Sequence, residues 1–223
     1  HLGRVALHEP VTRVCFELGV GVLPAELYVV GSEVKQVVMT QGRPTFHTTV
    51  TDVSDLVEGL GVPAGAILET GLPVQVVSTG MPQMMVPLGS LEAVRALDPS
   101  RINVSALTRA CEAAGTDCVF VFCLETEQPE STVHVRLFAP MLGIPEDPAT
   151  GSANGALGAY LVRHQAVPVS EPTNFILSEQ CSEMGRPSKI FVEVDSAGEE
   201  ITAVRVGGQV APIAEGIVRF PGT

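Results

Sequence analysis

A chain of 223 residues with 45% apolar and 17% charged side chains can bury a sizeable core, enough for one large domain or, the better expectation, two small ones. Its net charge of −12 and its lack of a Lys/Arg cluster argue against nucleic acid as a partner and disfavour anionic membrane surfaces. No apolar run approaches the roughly 20 residues of a spanning helix and no basic-then-apolar leader opens the chain, so a cytoplasmic location follows by default.

The first residue is His1, and strand-like sequence begins almost at once, as though further sequence preceded it. Residues 11–46 read as consecutive antiparallel strands: "TRVCFELGVG" and "AELYVVG" alternate apolar and polar positions, and "KQVVMTQGRP" follows a Gly-Ser turn. Asp52 or Ser54 offers an N-cap to a short helix, "DLVEGLGV", that stops at Gly61 and Pro63. "LPVQVVSTGMPQMMVPLGS" gives two strands broken at Gly80 and Pro82. "SLEAVRAL" and "NVSALTRACEAAG" are amphipathic helices opened by Ser90 and Asn103. "DCVFVFCLE" and "STVHVRLFAP" are strands, and after one more helix the tail reads as four or five strands with a hairpin at "DSAGEE".

So heavy a β content with a few inserted helices predicts an α+β class without regular βα alternation. A boundary is expected near residues 70–73. Residues 1–72 then form an incomplete first domain, with strands but only one short helix, and residues 73–223 form the second. The five cysteines are odd in number and lack a CxxC pair, which predicts buried free thiols.

The chemistry concentrates in "FAPMLGIPEDPATGSANGALGAYLVRHQ", residues 138–165. Asp147-Pro148 by itself reads as an ordinary helix opening. A second turn triplet, Thr150-Gly151-Ser152, moves the helix start later and leaves Asp147 in a loop beside it. Gly151 removes the Cβ that would keep a ligand off the backbone. Gly155 and Gly158 each cost the helix about 1 kcal/mol relative to alanine, a loss that close packing on most sides would offset. The pattern predicts a central helix wrapped by strands, whose exposed N-terminus presents oriented N–H groups to an anion such as a substrate carboxylate. GxxxGxxG is not a dinucleotide fingerprint or a P-loop, the histidines do not fall at metal-ligand spacing, and no GxSxG elbow is present.

These residues, "VRLFAPMLGIPEDPATGSANGALGAYL", resemble the C-terminal signature of the PhzF-like phenazine-biosynthesis isomerase family. Similar stretches run through the chain: "FELGVG", "MTQGRPTF", "STGMPQMMVPL", "EMGRPSKIFVEV" and "VRVGGQVAPIAEG". The resemblance implies a diaminopimelate-epimerase-like fold, two β-roll domains each around a central helix, with an interdomain cleft. It implies a proton shift on a small carboxylate-bearing metabolite without metal or cofactor, and a homodimer. Asp147 would bind the substrate's polar substituents and relay protons, and Gly151 and Ser152, with Thr150 beside them, would hold the carboxylate. Arg136 would be a structural group or one that supports the substrate-contacting residues from behind. The upstream Glu and "GHPT"-type block of the family do not appear here, and Cys181 stands where glycine is usual. A member that binds small molecules or a protein partner without catalysis is the rival expectation.

Overall fold

Alternating apolar and polar residues at the N-terminal end fold into an antiparallel meander of β1 (Val11–Leu18), β2 (Gly21–Val30) and β3 (Glu33–Thr40), in a computed structural model that describes residues 5–19, 21–209 and 214–217. There follow β4 (Thr45–Val50), helices α1 (Ser54–Leu60) and α2 (Gly65–Leu68), and strands β5 (Val74–Ser78) and β6 (Pro82–Pro87). Helices α3 (Leu91–Arg95) and α4 (Val104–Ala114) lead to β7 (Val119–Cys123), β8 (Val133–Ala139) and β9 (Ile144–Asp147). Helix α5 (Gly151–Arg163) and strands β10 (Thr173–Gln180), β11 (Ser188–Ala197) and β12 (Glu200–Gly208) complete the described elements.

All twelve strands belong to one mixed sheet in the order β1-β2-β3-β12-β11-β10-β8-β7-β6-β5-β4, with β9 paired to β8. The β3–β12 pairing joins the first meander to the end of the chain. Pairing of β4 with β5 carries the sheet across residue 72. None of the described helices is long and apolar enough to cross a membrane.

The sheet curls around α5, which packs against β5, β6, β10, β11 and β12 and has ten of its 13 residues buried. Strand alternation then divides the core in two. Val133, Val135 and Leu137 of β8 face α5 together with Val77, Met85, Phe120 and Val192. Phe138 faces the other way, with Met84 and Val121, under Leu56 of α1, Val94 of α3 and Leu107 of α4. Strands covered on both faces read as unbroken apolar runs, as "VFVFC" does.

The helix glycines confirm the close packing expected of them. A Cβ on Gly158 would lie 2.6 Å from Val192 Cγ1 and 3.1 Å from Val194 Cγ2. Overpacking of this kind costs about 1–3 kcal/mol, more than the ~1 kcal/mol that alanine gains in helix propensity. Gly158→Ala is therefore expected to lower the urea midpoint. Gly151→Ala, whose Cβ would meet nothing nearer among the described residues than Val206 Cγ1 at 3.8 Å, should leave it almost unchanged.

Several local expectations need adjustment. Ser90 and Asn103 cap α3 and α4 as read, accepting from Ala93 and Ala106 N–H. The N-cap position of α1 is Val53, and Asp52 instead accepts from Ser54 N–H at 2.9 Å. Asp147 is not in a loop, because pairing with β8 draws residues 144–147 into a strand. Cys15 is exposed, while the other four cysteines are buried. The tail gives three strands, and the further ones expected after them fall largely outside the described residues.

Candidate functional site

Consecutive side chains of a strand point to opposite faces, and β9 ends on two consecutive acids. Glu146 points to the face under α3. There its two carboxylate oxygens accept from Arg136 Nε and Nη2, each at 2.8 Å, while Nη1 donates to the carbonyls of Val94 (3.0 Å) and Leu97 (2.7 Å). Arg136 is 1% exposed, so the guanidinium is wholly committed to the core, the structural role expected of it. Asp147 lies beside Leu137 and points to the α5 side, where its Oδ2 accepts from the Thr150 hydroxyl. One acid locks the sheet and its neighbour reaches the helix tip.

Thr150 is the N-cap residue of α5, yet among the described residues no side chain caps the helix. The first-turn N–H groups therefore keep their bonding capacity and the partial positive charge of the helix end. Gly151 is exposed, and Asp147, Thr150 and Ser152 are half-buried. The structure thus gathers all four residues singled out from the sequence within one turn of chain.

Other residues at this tip were not legible in the sequence. The Thr79 hydroxyl donates to the Ser152 carbonyl at 3.3 Å, and the Thr79 carbonyl accepts from Gly42 N–H at 3.0 Å. A Cβ on Gly155 would meet Gln41 Cγ and Thr79 Oγ1 at 3.3 Å and Val206 Cγ2 at 3.0 Å. The "TQG" and "STG" turns therefore both abut the start of α5. Gln180 of β10 lies next to β9 along the same edge of β8 and donates from Nε2 to the Asp147 carbonyl at 2.8 Å. A cavity of about 860 Å³, walled by Glu127, Glu179, Arg186, Lys189, Phe191 and Gln209, touches this region only at Ala149. Its other walls come from β10, β11, the end of β12, the 181–187 turn and the loop after β7, and the geometry at the α5 tip carries the chemical reading.

On the face away from α5, Glu127, His134 and Glu183 each place a potential ligand atom within 4.8 Å of the others. That donor set would suit a divalent ion; most of its atoms have protein partners, and the buried Oε2 of Glu183 has no hydrogen-bond partner among the described residues. His134 Nδ1 meets Glu179 at 3.0 Å, Nε2 meets Glu183 at 2.9 Å, and Glu127 accepts from Arg95 Nε at 3.0 Å. Burial by itself pulls the His134 pKa down, and the hydrogen bonds to Glu183 and Glu179 outweigh it, so the net shift is upward. A group with a raised folded-state pKa contributes stability that is complete below its unfolded value, about 6.5, and that is lost as pH rises through the folded value. Urea midpoints measured from pH 6 to pH 9 are expected to fall for the wild-type protein and to change less for His134→Gln.

Burial pushes the thiols of Cys111 and Cys123 up to about 12. Cys118 is also raised, by burial and by the charges of Asp117 and Asp147. The thiol that senses Asp147 is thus kept protonated, which disfavours thiolate chemistry at the α5 tip.

The sequence model of the family described as phenazine biosynthesis-like protein matches residues 3–216. A Clostridium acetobutylicum protein named an uncharacterized isomerase is 32% identical over 204 residues, 91% of this chain and 66% of that protein. The trans-2,3-dihydro-3-hydroxyanthranilate isomerase of Pseudomonas aeruginosa is 31% identical over 204 residues, 92% of this chain and 66% of the enzyme. The chain therefore spans just under two thirds of the length of these relatives. Among solved structures, a PhzF-family phenazine biosynthesis protein of Bacillus anthracis superposes with a TM-score of 0.72 at 22% identity, covering 91% of this chain and 66% of that one.

Proposed function

Since the chain belongs to the phenazine biosynthesis-like protein family, with its diaminopimelate-epimerase-like fold, we propose that it is an isomerase that moves a proton between carbons of a small carboxylate-bearing metabolite. The observation that carries this reading is Asp147 held beside the uncapped tip of α5. The amides of the first turn, with Ser152, seat the substrate carboxylate, and Asp147 carries a proton.

Removing a proton from carbon next to a carboxylate builds enolate-like charge. N–H groups fixed by a packed helix stabilise that charge without having to reorganise. In the shift a base takes the proton of one C–H bond, whose electron pair enters the π system, and a new C–H bond forms at a second carbon with a proton delivered by an acid such as Asp147, the proton taken being returned to the substrate or exchanged with solvent. No atom is gained or lost, and no oxidant is needed. Support comes from the named activity of the Pseudomonas relative and from the depth at which α5 is anchored.

The test is incubation of the full encoded protein with trans-2,3-dihydro-3-hydroxyanthranilate and a panel of unsaturated or α-substituted carboxylates in deuterated water, followed by NMR. Deuterium at a new C–H position is the expected result. Binding of the same acids with no exchange into any of them would instead identify a binding protein.

A further inference from the structure

We propose that Gln180 is a positioning residue for Asp147, and that it leaves Oδ1 of Asp147 as the oxygen that exchanges protons with the substrate. The chemical part of this proposal rests on the isomerase reading above, whereas the positioning part stands on geometry.

Gln180 is 1% exposed, and its amide has four bonding positions, two donors on nitrogen and two lone pairs on oxygen. All four are used. Nε2 donates to the Asp147 carbonyl at 2.8 Å and to Thr150 Oγ1 at 3.1 Å, and Oε1 accepts from Thr150 N–H at 3.1 Å and from Asn154 Nδ2 at 3.0 Å. The partners fix the amide's orientation, because a carbonyl requires the NH2 end and a backbone N–H requires the oxygen end. One side chain on β10 therefore ties the end of β9, the N-cap of α5 and the first turn of α5 into a single unit.

The direction of the bonds then follows by counting protons. Thr150 Oγ1 accepts from Gln180, so its only proton is free to go to Asp147 Oδ2. That makes a one-way chain from Gln180 Nε2 through the Thr150 hydroxyl to Oδ2. Oδ2 accepts whether or not the carboxyl is protonated elsewhere, so Asp147 can gain and lose a proton at Oδ1 while the chain stays intact. Oδ1 has no hydrogen-bond partner among the described residues.

Three variants of the full encoded protein test this. Thr150→Val keeps shape and cuts only the hydroxyl link, Thr150→Ser restores it, and Gln180→Leu removes the whole clamp. For the acid that the wild-type protein turns over, Thr150→Val and Gln180→Leu are expected to lower kcat roughly 10- to 100-fold with KM nearly unchanged. Thr150→Ser, which restores the hydroxyl, should recover most of the turnover lost in Thr150→Val. A kcat close to wild type in Thr150→Val overturns the proposal.

A crystal structure of Gln180→Leu, or of Thr150→Val should the leucine variant not fold, gives a readout that needs no substrate. The Asp147 carboxylate is expected to leave its wild-type rotamer, and an unmoved carboxylate overturns the positioning role. If the wild-type protein turns over none of the acids, the isomerase reading fails and the crystal structure alone decides on Gln180.

Discussion

Asp147→Asn is expected to lower kcat by about 10²–10⁴-fold, with little change in KM and a melting temperature within a few degrees of wild type. The two halves of this expectation have separate causes. Asparagine keeps an oxygen that can accept from the Thr150 hydroxyl, and Asp147 is half-buried and away from the Arg136 lock, so its loss strands no buried counter-charge. What asparagine lacks is a carboxylate oxygen that can take and return a proton. Deuterium exchange into the turned-over acid, measured beside a thermal melt, separates the two effects. A large drop in melting temperature would make Asp147 a structural residue.

The largest stability effect should come from the other acid's partner. Arg136→Met leaves Glu146 as an unpaired charge, 5% exposed at its side chain, and frees the carbonyls of Val94 and Leu97. Breaking a buried pair from one side costs about 3–5 kcal/mol, a large share of the stability of an ordinary domain. The double variant Arg136→Met/Glu146→Leu should recover much of that loss, because it removes the stranded charge as well. Urea unfolding of the single and double variants provides the measurement. If the double variant is as unstable as the single, the carbonyl contacts matter more than the ion pair.

How far the sequence revealed this arrangement depended on how local the cause was. α5 was legible because its glycines carry a helix cost that only packing can offset, and Val192, Val194 and Val206 supply that packing. β7 and β8 were legible as apolar runs, and the caps at Ser90 and Asn103 as side-chain chemistry. β9 was not, because "IPED" contains three residues that strands avoid, and only its pairing with β8 makes it extended. Gln180 carried no local signal, since the atoms it binds belong to residues 26 to 33 positions earlier. At Cys181 the resemblance pointed to a glycine-type turn, and the backbone keeps the left-handed conformation at φ 73° despite the side chain.

The turn at Pro140–Gly143, closed by Gly143 at φ 75°, sets where β9 begins and hence the parity of the residues after it. One residue added there would invert the parity, turning the carboxylate meant for the guanidinium toward α5 and its successor toward the opposite face. Two added residues would restore it. A library of turn lengths should therefore yield folded protein at even increments and little at odd ones, so that a tolerance map of this loop would read out the strand's phase without any structure determination.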